Sequence, residues 1–262
     1  MYRSAIAFLV DVLPTPDVFT QFTHLGQFFH CSIFIENLTK KRIANVSEKL
    51  ALLSLGLSKA DLCKINFLGK DAELAAFVFS AYVQECFTFI NSYPNKKLPE
   101  YFSRAYPTLV QKLNITHYYY DLEITYNMSK LDVLAEIVDE LSQSKQVSID
   151  IKSAWLDSFY EREAYSSTAI GHHIALPHIM HESIKEPMLI IARLSSLIDW
   201  NSQLGDIDMI IAIMMPKPAK KSEIIAMVRL TRFLLDDIFC SKLREISEPE
   251  ILHTYLLDKM RA

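Results

Sequence analysis

Two hydrophobic patterns alternate along this chain, one with helical spacing and one of short continuous runs. Val18, Phe19, Phe22, Leu25 and Phe29 fall on one face of residues 16–30, which predicts a helix. Ala75, Phe79, Val83 and Phe87 recur at every fourth position within residues 71–90 and predict another. Residues 48–55 predict a short helix stopped at Gly56. Strand-like runs at 4–10, 32–36, 42–46 and 62–68 lie between them, giving the order β-α-β-β-α-β-α. Pro94, Pro99 and Pro107 then punctuate a stretch that reads as a linker over 91–118. A second unit opens with a strand at 118–124. Ser129 is placed to cap a helix whose inner face is Val133, Ile137, Val138 and Leu141. A helix over 148–163, a loop, strands at 188–194 and 207–215, a long helix at 222–236 and a last one near 249–257 complete the pattern. Strands alternating with helices predict layered α/β architecture, with residues 1–90 and 119–262 as two domains.

Composition narrows the classes of function. Half of the 262 residues are apolar and 22% are charged, enough for a sizeable core. A net charge of -4 with no basic run argues against a general nucleic-acid binder. The apolar start of the chain is short and ends at Asp11, so it reads as a strand and not as a signal peptide. The apolar runs near 188 and 209 are too short to cross a bilayer, so no membrane insertion is expected. Cys31, Cys63, Cys86 and Cys240 have no paired spacing and read as thiols of a reducing cytoplasm.

The chemistry concentrates in Thr168-Ala-Ile-Gly-His-His-Ile-Ala-Leu-Pro-His178, with Arg162-Glu163 just before it. A neutral imidazole is a good nucleophile near neutral pH. Pro177 stiffens the backbone on both sides of its own position, so His178 is presented in one pose. A phosphoryl group accepted there needs donors and a cation, which the hydroxyls and Arg162 can supply. A lone histidine is more often a surface or core residue, and the bland alternatives for Trp200 and Arg162 are packing and a surface ion pair. His172, His173, His178 and His181 also resemble a metal cluster. Their spacing is not that of a helix-borne zinc pair and no cysteine supports it, so neither metal nor cofactor is expected.

Several motifs in order give the second half a family resemblance: Ser129-Lys130, Arg162-Glu163, Thr168-x-Ile-Gly171, Ile174-Ala-Leu-Pro-His178, Ile198-Asp-Trp200 and the helix with Leu230, Phe233, Leu234 and Asp236. Residues 119–262 resemble the fructose/mannitol-type enzyme IIA domain of the bacterial sugar phosphotransferase system. The resemblance implies a mixed sheet flanked by helices. It also implies a cytoplasmic phosphotransferase whose His178 accepts a phosphoryl group from the carrier protein HPr and passes it to a IIB component of a IIB/IIC permease. Arg162 matches the family arginine beside that histidine, and Thr168, Ser166 or Ser167 would supply a hydroxyl. Ile174, Ile179 and Met180 would form an apolar docking rim. The family often has glycine where His173 stands, and a second histidine where the long helix begins. Glu223 takes that second position, where a carboxylate can orient the imidazole or repel the phosphoryl group.

Residues 1–90 resemble HPr itself, an open-faced β-sandwich, over the stretch 48–57 followed by Asp61-Leu-Cys-Lys-Ile-Asn-Phe-Leu-Gly69 and Asp71-Ala72. The match places Thr15 where the HPr histidine would stand, Asp17 at the arginine and Glu48 at the regulatory serine. Threonine without a base cannot do imidazole chemistry. The expectation is therefore a histidine-less HPr-like domain fused to a IIA domain. An alternative is a nitrogen-type regulatory IIA protein, whose phosphorylation state controls a regulatory partner.

Overall fold

The computed structural model of the chain describes residues 3–90, 115–125 and 128–261. It divides into two compact units, Met1–Tyr93 with Glu248–Asp258, and Pro94–Ser247 with Lys259–Ala262. Residues 91–114 of the expected linker lie outside the described residues, and the following strand already begins at Thr116.

The first unit contains β1 (Arg3–Leu9), α1 (Pro16–Gly26), β2 (Cys31–Asn37), β3 (Arg42–Asn45), α2 (Lys49–Ser54), β4 (Leu62–Gly69), α3 (Ala72–Cys86) and β5 (Thr88–Ile90). The βαββαβα order is the one the periodicity predicts. The sheet runs β3-β2-β4-β1-β5 and every pairing is antiparallel. Alternate strand residues such as Ile6, Phe8, Ile33, Ile35, Ile65 and Phe67 share one core with Phe19, Phe22 and Phe79 of the helices. Phe79 is fully buried, stacked on Phe22 at 5.9 Å and edge-on to Phe67 at 5.4 Å. The second predicted helix is shorter than its pattern. It ends at Cys86, Phe87 turns extended (φ -144°, ψ 167°), and Thr88–Ile90 pairs with β1. Phe87 keeps the four-residue rhythm because it is still buried, stacked on Phe8 at 4.8 Å, but it reaches the core from extended backbone.

The second unit contains β6 (Thr116–Leu122), α4 (Lys130–Lys145), α5 (Ile149–Tyr165), β7 (Ala169–Gly171), β8 (Ile174–Ala175), β9 (His178–His181), β10 (Met188–Ile198), β11 (Ile207–Pro216), α6 (Lys221–Phe233) and α7 (Asp237–Glu245). A final helix, α8 (Pro249–Arg261), follows; the stretch Glu248–Asp258 groups with the first unit. The sheet is mixed. Its order is β6-β10-β11-β8-β7, with β9 also on β11. β6 is parallel to β10, β10 antiparallel to β11, and both β8 and β9 parallel to β11. The central strands β10 and β11 are buried on both faces over most of their length, which explains their uninterrupted apolar runs.

The predicted loop between α5 and β10 is built instead of three short strands, and residues 237–245, to which the periodicity assigns no element, form a helix. That helix starts where the Asp236 carboxylate accepts from the Phe239 N–H at 2.7 Å. β8 and β9 are one interrupted strand: Ile174 to His178 and Met209 to Ile213 both advance four residues, so the register on β11 is kept. The interruption is at Leu176-Pro177, where proline has no N–H to give. Its carbonyl still accepts from Ile213 N at 2.9 Å.

Two outcomes follow from packing and capping. Phe79→Ala should destabilise the first unit by about 3–5 kcal/mol, read from denaturant unfolding. At the start of α4, Ser129 and Asp132 cap each other: the Ser129 N–H donates to the Asp132 carboxylate at 2.8 Å and Ser129 Oγ accepts from Asp132 N at 3.3 Å. The Ser129 backbone bond, with the Ser129 hydroxyl second, holds the Asp132 carboxyl below its ordinary range. A depressed folded value stabilises the fold above the unfolded value and is lost as pH falls through the folded one. Ser129→Ala should therefore move Asp132 back toward its ordinary range in an NMR titration and shift acid unfolding to higher pH.

Candidate functional site

His178 opens β9 and is exposed, with buried Pro177 before it. Strand alternation sends His178 and Met180 outward and Ile179 into the core. The His178 Nδ1 lies 3.0 Å from the Leu176 carbonyl oxygen. A carbonyl only accepts, so Nδ1 carries the proton and Nε2 keeps its lone pair. Arg162 Nε donates to that Nε2 at 3.2 Å. The imidazole is thus held in one tautomer by backbone, and a permanent cation touches its nucleophilic atom.

Arg162 sits in the last turn of α5. The helix ends at Ser166, whose backbone is extended (φ -163°, ψ 145°). Arg162 Nη1 donates to both the Ser166 carbonyl at 2.9 Å and Ser166 Oγ at 3.1 Å. The next residue, Glu163, points the other way and is buried. Its carboxylate is met by Lys130 Nζ at 3.3 Å, Thr168 N at 3.2 Å and Trp200 Nε1 at 3.3 Å, and it accepts from the Thr168 hydroxyl. Burying a carboxylate is costly unless it is paired and hydrogen-bonded, and four donors meet that condition. Lys130 Nζ and Ser167 Oγ also reach the Trp200 carbonyl, at 3.5 and 3.4 Å. Thr168, fixed by this cluster, accepts from Leu176 N through its own carbonyl at 2.9 Å. A continuous chain of bonds therefore runs from the buried carboxylate to the residue that orients His178.

The expected site residues divide. His178 and Arg162 meet. Thr168 is buried and its hydroxyl is spent on Glu163, while Ser166, one of the other hydroxyls considered, is the one on Arg162. Ile174 and Ile179 do not form a docking rim. Both are buried: Ile179 because β9 alternates and the residue beside an outward histidine faces inward, and Ile174 because both residues of β8 are covered. Met180 is exposed at 48%, and the exposed apolar side chains of α6 are Ile224, Ile225 and Val228. Glu223 is buried in the first turn of α6, where it accepts from Lys220 N at 3.0 Å and lies 3.7 Å from Lys220 Nζ. The carboxylate caps its own helix.

The four histidines go to four different partners: His172 to Asp237 at 3.0 Å, His173 to the Asp206 carbonyl at 2.8 Å, His178 to Leu176, and His181 to Ser183 Oγ at 2.8 Å. No group of metal-ligand type gathers among the described residues. His172 and His173 sit at the hairpin between β7 and β8 with φ of 54° and 60°. Two successive positive values are the geometry of a type I′ turn, which glycine or asparagine adopts most cheaply. Here each ring is tied down by the bond just given. The sequence alone assigns no role to Lys130 or Glu163 and only a packing role to Trp200, although each stands in a motif; the signal is their joint presence. The Leu176 carbonyl is backbone and leaves no mark in the residue type.

The family model "Phosphoenolpyruvate-dependent sugar phosphotransferase system, EIIA 2" matches residues 122–259. A nitrogen regulatory protein of Bradyrhizobium diazoefficiens is 25% identical over 49% of this chain and 82% of its own length. A multiphosphoryl transfer protein of Shigella flexneri is 24% identical over 38% of this chain, but the match spans only 12% of that much longer protein. The crystal structure of a phosphocarrier protein HPr from Bacillus anthracis aligns with 30% of this chain and 95% of its own, at 24% identity and a TM-score of 0.27. No described helix is long and apolar enough to cross a membrane. With more than half of its residues matched, the site included, the chain belongs to the type 2 EIIA family of the phosphoenolpyruvate-dependent sugar phosphotransferase system.

Proposed function

We propose that this chain is a cytoplasmic phosphohistidine carrier that accepts a phosphoryl group from HPr on His178 Nε2 and passes it to a IIB component of a sugar permease. The observation that carries the reading is the exposed His178, whose Nδ1 faces the Leu176 carbonyl and whose Nε2 accepts from Arg162. In the transfer, the Nε2 lone pair attacks phosphorus and forms the new N–P bond. The donor's N–P bond breaks and its electron pair stays on the donor imidazole. The Nδ1 proton remains on His178, facing Leu176. Arg162 must first release Nε2, and its N–H groups then meet the incoming oxygens, where positioning and charge supply the catalysis. The donor is a separate HPr, since Thr15 stands in the HPr-like unit at the place of its histidine and a hydroxyl cannot do imidazole chemistry without a base. Met180, two residues along the same outward face, offers an apolar contact beside the imidazole.

A regulatory role of the nitrogen type is favoured by one observation. The Bradyrhizobium relative is matched over most of its own length, whereas the transfer protein is matched over a small part. Under that reading the phosphorylated and unphosphorylated forms bind a regulatory partner differently.

Incubation with enzyme I, HPr and labelled phosphoenolpyruvate should label the chain at one histidine, and His178→Ala should remove the label. Arg162→Lys keeps the charge but loses the planar fork. It should slow labelling about ten- to a hundredfold, the worth of a hydrogen bond to a charged group. Label that survives His178→Ala would remove the reading. Transfer onward to a IIB cysteine supports the transport role; capture of a regulator by one phosphorylation state alone supports the other.

A further inference from the structure

An arginine can present two different edges, and the edge presented decides what it can grip. The Nε–H and one Nη2–H are parallel and form a two-bond fork on one side of the guanidinium, while Nη1 lies on the other. In this chain Nη1 donates to one residue, Ser166, through its carbonyl at 2.9 Å and its hydroxyl at 3.1 Å. The fork side is left to face His178, with Nε already on Nε2 at 3.2 Å. Ser166 can hold Nη1 in this way because α5 ends there: its backbone leaves helical geometry, so carbonyl and hydroxyl both turn back to a side chain four residues earlier. An arginine near a helix end otherwise keeps several rotamers, and losing that freedom on each turnover is costly.

We propose that Ser166 is a positioning residue for phosphoryl transfer at His178. By clamping Nη1 it holds the Nε/Nη2 edge of Arg162 toward the imidazole. When phosphorus approaches Nε2, a small shift about the clamped nitrogen exchanges one bond to the ring for two parallel bonds to phosphoryl oxygens. No rotamer search intervenes. Ser166 touches neither the phosphoryl group nor the ring; it acts through Arg162. The hydroxyl contributes one of the two clamps and the backbone carbonyl the other, so removing the side chain loosens the arginine without releasing it. The inference rests on the phosphocarrier reading for its kinetic part and on the resting geometry for the remainder.

The full chain is compared with Ser166→Ala and Ser166→Thr. Ser166→Ala should leave the melting temperature unchanged, slow labelling by phosphorylated HPr about two- to tenfold, and shorten the lifetime of the phosphohistidine by a similar factor. Ser166→Thr, which keeps the hydroxyl, should restore both. In the unphosphorylated chain, the ¹⁵N resonance of His178 Nε2 should move in Ser166→Ala toward the position of a ring nitrogen that accepts no hydrogen bond. Labelling rate and phosphohistidine lifetime equal to the parent chain, in a protein where Arg162→Lys is slow, would overturn the proposal. So would an unmoved Nε2 resonance. Should the parent chain take no label at all, the carrier reading fails, and the ¹⁵N measurement still decides whether Ser166 sets the contact between Arg162 and His178.

Discussion

The contact between the His178 Nδ1–H and the Leu176 carbonyl governs everything else at this site. Two ring nitrogens compete for one proton, and a carbonyl 3.0 Å from one of them settles the competition before any partner arrives. The acceptor is main chain, so it cannot rotate away as a side chain can. It is aimed by the interruption at Leu176-Pro177, where the strand keeps its register on β11 on both sides of the break. The sheet supplies the rigidity that a reactive side chain needs, while the break turns one carbonyl along the chain instead of across the ladder.

Behind that contact stands Glu163. A carboxylate with 1% of its side chain exposed would be a severe liability in an apolar core. Its four donors come from three separate places: Lys130 on α4, the Thr168 backbone and hydroxyl, and the indole of Trp200 after β10. Because these elements converge on one charge, the buried group works as a fastener for the segment that bears His178. The loss of any donor leaves the carboxylate short of partners, so the elements keep their relative places or the cluster as a whole gives way.

Much of the architecture could be read from spacing alone. The βαββαβα order of the first unit follows from apolar positions at helical intervals alternating with short apolar runs, and Ser129 caps the helix its residue type marks. What escaped was short. β5, β7 and β8 span three, three and two residues, too few to show alternation. The nine-residue helix α7 lies in the stretch between the helices expected at 222–236 and 249–257, to which no element is assigned from the sequence. In the site, His178 and Arg162 were legible because their chemistry is carried by side chains. Ile174 and Ile179 were misread as surface, since proximity in sequence to a reactive histidine says nothing about the face of a strand. Glu163 and its partners could not be assembled from sequence, as Lys130 and Trp200 lie 33 and 37 residues from it.

The adjacency of Arg162 and Glu163 carries one further consequence. Successive helical residues are rotated by about 100°, and that rotation alone sends the cation outward and the anion inward. Composition is silent on which goes where; the phase of α5 against the sheet decides it. Sliding that helix by a single position, in either direction, would put a glutamate, Glu161 or Glu163, in the place of Arg162 beside the imidazole. The sign of the electric field at the reactive nitrogen is thus written into how many residues separate the Ser148 cap from Arg162, and an insertion or deletion there would reverse it without altering one residue of the histidine motif.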